Sequence, residues 1–230
     1  MPLWARLPIG CINWIMEKMH IKQIASLSFI ALLITLFTGQ NVALAQSSCA
    51  SPANEIVAEN CLPGNPASQW DVSTIGGDTN IQGFATNMSV NHGSTIQFKI
   101  KTTSSNYRIE IYRMGYYGGN GARLINTITV STAQSQPACL TDGTTGLVDC
   151  GNWAVSASWA VPSNAVSGIY FAKLVRQDST AGSSHVFFVV RDDTGSSDIL
   201  YQTSDASWVA YNNYGGNNLY QGSPDARAYK

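Results

Sequence analysis

Five short strand-like segments, four alternating and the last almost wholly apolar, lie between turn-forming clusters. They are residues 95–102 (TIQFKIKT), 107–113 (YRIEIYR), 124–130 (LINTITV), 169–176 (IYFAKLVR) and 185–191 (HVFFVVR). In 95–102, Ile96, Phe98 and Ile100 face one way and Gln97, Lys99 and Lys101 the other. Such a period of two residues specifies half-buried strands. Residues 153–162 (WAVSASWAVP) alternate as well and end at proline. Short apolar pieces at 81–85 and 88–90 belong near the first strand. No amphipathic helix interrupts 86–191. Strands at this spacing predict an all-β, immunoglobulin-like antiparallel β-sandwich.

The N-terminus reads differently. Arg6, Lys18 and Lys22 precede an uncharged apolar run at 24–37, and Ala43-Leu44-Ala45 fits a small-x-small cleavage pattern. Residues 1–45 therefore read as a secretory signal peptide, and the protein as secreted or periplasmic. A membrane becomes a partner only if this leader is retained as an anchor. The leader holds three of the 13 Lys+Arg and one of the 14 Asp+Glu, leaving ten bases against 13 acids. Nothing in that balance suggests nucleic acid. Beyond the leader stand Cys49, Cys61, Cys139 and Cys150, an even number in an exported chain. Four cysteines allow three pairings. Cys49–Cys61 and Cys139–Cys150 are preferred because each closes a short loop.

Residues 46–61 read as a polar lead-in, 62–191 as the sandwich, 192–197 as a polar linker, and 198–230 as the truncated start of a second, α/β domain. Within the last segment, 198–203 (DILYQT) reads as a first strand.

Two stretches invite a functional reading. The first is 107–123 (YRIEIYRMGYYGGNGAR), a strand leading into a glycine-rich turn. It is either a hairpin loop or a binding loop with two exposed tyrosines, Tyr116 and Tyr117. The second is 208–220, which gathers Tyr211, Tyr214 and Tyr220 with Asn212, Asn213, Asn217 and Asn218 around Gly215-Gly216. Aromatic rings beside amides suit a sugar or another polar ligand. Packing around a turn is the competing reading. His185 opens an apolar strand and reads as a strand-end residue, and His92 as an exposed turn residue. Asp192 and Asp193 are too few for the six to eight oxygens Ca²⁺ takes.

Residues 107–123, 150–176 (with GNWAVSASWAVP and SGIYFAKLVR) and 200–220 (with YQTSDASWVAYNNYGGNNLY) together resemble exported bacterial proteins related to the large (β) subunit of N,N-dimethylformamidase. The resemblance covers most of 60–230. It implies a sandwich preceding a larger catalytic α/β domain, and an iron-dependent amide hydrolase whose metal is held by two tyrosines and a glutamate. Tyr211, in Trp208-Val209-Ala210-Tyr211, matches the first tyrosine ligand, and the other two ligands are expected past Lys230. On this reading iron belongs to a longer parent protein, no cofactor to this chain, and the catalytic residues are unknown. A small amide is the implied substrate. A secreted sandwich module that binds polysaccharide or a cell-surface partner is the alternative.

Overall fold

The computed structural model describes residues 49–72, 77–197, 199–216 and 218–221. The leader and Gln46–Ser48 lie outside them. The chain divides into two compact units, Met1–Ala53 and Asn54–Lys230. Of the first, residues 49–53 are described, and all are exposed.

The second unit is the sandwich. Among the described residues its strands are β1 (Ile81–Ala85), β2 (Ser89–Asn91), β3 (Thr95–Thr102), β4 (Tyr107–Met114), β5 (Ala122–Val130), β6 (Leu140–Thr141), β7 (Val148–Asp149), β8 (Ala157–Ala160), β9 (Gly168–Arg176) and β10 (Ser183–Arg191). One sheet has the order β1-β3-β8 and the other β2-β10-β9-β4-β5. All pairings are antiparallel except β2 with β10. An A-B-E sheet facing a G-F-C-C′ sheet is the immunoglobulin arrangement. Tyr170, on the F-like strand β9, donates its hydroxyl to the Val166 carbonyl at 2.7 Å, the backbone anchor of a tyrosine corner.

The alternation seen in the sequence builds the core. Ile96, Phe98 and Ile100 from one sheet meet Tyr107, Ile109, Ile111, Tyr170, Leu174 and Phe188 from the other, all buried. The Phe98 and Phe188 rings cross edge-on at 5.8 Å, and Trp159 closes against Tyr170 and Phe188. The Tyr107 hydroxyl is buried among these groups without a hydrogen-bond partner, and desolvation pushes its pKa up to about 12.

The outer face of the five-stranded sheet is also covered. Phe187, Phe171, Tyr112 and Leu124 pair across β10, β9, β4 and β5 as one apolar row. Helix α2 (Ala67–Trp70) lays Trp70 over it, 6.1 Å from Phe171. Lys173 donates to the Gln69 and Asp71 carbonyls, and His185 Nε2 lies 2.7 Å from the Trp70 carbonyl, so two side chains of the sheet hold the end of this helix. His185 is thus a packing residue, and it lies within β10 rather than at the strand end expected for it.

Two sequence readings change. The segment read as a lead-in contains helix α1 (Glu55–Asn60), capped by the Asn54 side chain, and it belongs to the sandwich unit. The alternating stretch 153–162 forms only the four-residue β8, because Trp153 turns away to support the preceding loop. That loop is ordered by more than its disulfide. Buried Gln136 donates to the Ile100 and Ala154 carbonyls and accepts from the Ala154 amide. Among the described residues no helix is long and apolar enough to cross a membrane.

Candidate functional site

The glycine-rich loop after β4 is built around an inward-turned tyrosine. Past Met114 the chain enters a 3-10 turn, Tyr117–Gly119. Tyr117 has φ 41°, an unusual left-handed conformation for a residue with a bulky side chain. It aims the ring inward, leaving Tyr117 1% exposed. Its hydroxyl donates to Glu59 Oε1 at 2.8 Å and accepts from Arg113 Nη1 at 3.0 Å. Glu59, on α1, also accepts from Arg123 Nε at 2.8 Å and Nη2 at 2.7 Å. Arg113 is buried and also donates to the Met114, Val166 and Ser167 carbonyls. Burial raises the Tyr117 phenol above its ordinary value, with the hydrogen bond from Arg113 pulling against it. Gly64 allows the close approach, since a Cβ there would stand 2.5 Å from Tyr117 Cβ.

The expectation of two exposed tyrosines is therefore corrected. Tyr116 is 72% exposed, while Tyr117 is a strut between α1 and β4. The unusual run of residues 107–123 encodes this strut. Glu59, its acidic member, has no mark in the sequence beyond a place three residues before Leu62-Pro63-Gly64.

The second candidate lies in the tail. Residues 199–203, read as a strand, form no strand, and Ile199, Leu200 and Tyr201 are exposed. Asp198 lies outside the described residues. Helix α3 (Asp205–Tyr211) follows, and Trp208 reaches Phe187 at 6.3 Å. Asp205 in its first turn suits the helix N-terminus, and Ala210 is its buried residue. The chain then turns at Gly215-Gly216 and doubles back, with the Leu219 amide donating to the Ala210 carbonyl at 3.0 Å. Asn218 is buried. It accepts from the Tyr220 and Gln221 amides at 2.7 Å and donates to Asn213. Asn217 lies outside the described residues.

This turn brings Tyr211 and Tyr220 together. Their rings stack at 4.8 Å with 30° between planes, 66% and 62% exposed. Tyr214 points elsewhere, edge-on to Trp153 at 6.4 Å, and burial raises its pKa. Asn212 and Asn213 serve the turn, since the Asn212 side chain accepts from the Tyr214 amide.

Among the described residues no group of three His, Cys, Asp or Glu could hold an ion, and the aromatic against Tyr211 is another phenol, stacked rather than convergent. The described donors do not by themselves complete an iron site. Asp192 and Asp193 are likewise engaged elsewhere, with Thr194 and Arg191. His92 is half-buried with Nε2 3.5 Å from Asp192, rather than in an open turn.

Cys139 and Cys150 are bonded to each other, with Cα atoms 4.4 Å apart, and they close the β6–β7 hairpin. Cys49 and Cys61 are each disulfide-bonded as well.

No curated protein matches this chain. Among solved structures, domain 1 of VCBP3 from Branchiostoma floridae is similar over 50% of this chain and 96% of that one, at 7% identity and a TM-score of 0.28. The family described as "N,N-dimethylformamidase beta subunit-like, C-terminal" matches residues 108–230. The matched stretch takes in Arg113, Tyr117 and Arg123 of the strut as well as α3, and leaves Glu59 outside. It runs over more than half of the sequence, and the chain belongs to the N,N-dimethylformamidase beta subunit-like family.

Proposed function

We propose that this chain is the sandwich portion of an exported C–N hydrolase, and that it carries α3 and Tyr211 toward a catalytic domain. One observation carries the reading. The family match takes in β4 to β10 together with α3, so the later strands of the sandwich and the tyrosine helix fall within one family segment. The disulfides favour export, because such bonds persist in oxidising compartments. The described residues supply one of the ligands that the resemblance implies, so the 230-residue chain is expected to be inactive alone. The test assays this chain, and the product of a reading frame continued past Lys230, on small amides with ferrous or ferric iron supplied. Turnover is expected only from the longer protein, with Tyr211→Phe lowering it. Turnover by the short chain overturns the reading.

A binding module is the second reading, favoured by the stacked, exposed Tyr211–Tyr220 pair. Flat aromatic faces of this kind take sugar rings. A glycan array with wild type, Tyr116→Ala and Tyr211→Ala/Tyr220→Ala discriminates. Loss of a positive signal in the double variant supports it, and equal signals from all three remove it.

A further inference from the structure

The β6–β7 hairpin has two residues in each strand, and Leu140 on it is 60% exposed. A hairpin that short has no core and depends on its cross-link. Yet the tail rests on it. Gly215, at φ +88°, lies against Val148 so closely that a Cβ would fall 2.4 Å from Val148 Cγ2. The Tyr214 hydroxyl lies 3.9 Å from Cys139 Sγ, and its ring meets Trp153, the residue that ends the loop. The sandwich does not share this dependence. Gln136 fixes the near end of the loop to β3. Trp153 fixes the far end through the Pro137 carbonyl and the Phe84 ring.

We propose that the disulfide-closed hairpin is a redox-sensitive seat for the tyrosine-bearing tail. Opening the Cys139–Cys150 bond releases the tail and leaves the sandwich folded. In the reaction a dithiol delivers two electrons and two protons. The Sγ–Sγ bond breaks, two thiols form, and the dithiol leaves as its own cyclic disulfide. The turn after α3 then loses its support and its own bonds open more readily, the Leu219 amide to the Ala210 carbonyl among them, while Trp208 stays against Phe187. The inference concerns where the tyrosines are held and stands whether they meet a metal or a sugar.

Amide hydrogen exchange on the full chain tests it. Treatment with dithiothreitol, and separately the Cys139→Ser/Cys150→Ser variant, should speed exchange at Gly216, Asn218 and Leu219 at least tenfold. Amides of β3 and β9 should stay protected. A Cys49→Ser/Cys61→Ser variant should leave the tail unchanged. Gly215→Val should loosen the tail with the Cys139–Cys150 bond intact. Unchanged tail exchange in the hairpin variant or in Gly215→Val overturns the proposal. So does tail loosening in Cys49→Ser/Cys61→Ser, or loss of protection throughout β3 and β9.

Discussion

Tyr116 and Tyr117 are adjacent and chemically identical, and they do opposite things. Tyr116→Ala should change stability by less than about 0.5 kcal/mol, as exposed substitutions do. Tyr117→Phe keeps the ring but leaves Glu59 and Arg113 short of a partner in a buried place, and should cost about 1–3 kcal/mol in urea denaturation. Tyr107→Phe should run the other way. It removes a buried hydroxyl that has no partner, and should be neutral or stabilise by about 1 kcal/mol. His185 gives a pH dependence. Burial beneath α2 lowers its pKa from 6.5, helped by Lys173 and opposed by the Trp70 carbonyl and Asp71. The folded state thus binds this proton less readily than the unfolded chain. Its contribution is present above the ordinary value and is lost as pH falls through and below it. Unfolding free energy should decline from about pH 8 to about pH 5, and His185→Gln should flatten that slope. Burial of His185 was legible from its place on an apolar strand. The inward turn of Tyr117 was not, because nothing in a Tyr-Tyr-Gly-Gly run says which ring meets a glutamate 58 residues earlier.

The elements divide in the same way. β3, β4 and β9 were legible almost to the residue, because an apolar period of two leaves one register for the core face. β8 and the tail were not. In 153–162 the alternation is interrupted by Trp153, whose ring supports a loop instead of the core, and alternation alone does not tell the two apart. In 205–211 the apolar residues suit either a strand or a helix, and the helix lays Trp208 against Phe187. The loop of 131–151 shows both sides. Its disulfide could be argued from spacing, whereas the buried Gln136 bracket could not, since one glutamine among many carries no signal. Cys139→Ser/Cys150→Ser should lower the stability of the protein by roughly 2–3 kcal/mol, the entropy of closing a short loop. Thermal melts of the oxidised protein and the variant would show this. A change near zero would mean that Gln136 and Trp153 already hold the loop.

At the scale of the whole molecule the order of the strands has a consequence in time. In the larger sheet the last strand in sequence, β10, is not at the rim. It lies between β2 and β9, so residues 183–191 join the first part of the chain to the middle. Glu59 waits in the same way for Arg123, and Trp70 for Phe171. A growing chain therefore cannot complete this sheet piece by piece. Until residue 191 is available, β2 has no neighbour in its sheet, and the edge of β9 stays open to water or to other chains. Folding has to be a late, concerted event dominated by distant contacts, and domains of that kind fold on the millisecond-to-second scale. A chain ending at residue 182 should remain unfolded and aggregate, by circular dichroism and sedimentation. One ending at residue 197 should fold in a single cooperative step in stopped-flow refolding. Any machinery that handles this protein during synthesis must keep β2 and the open edge of β9 from other chains while the closing strand is still being made.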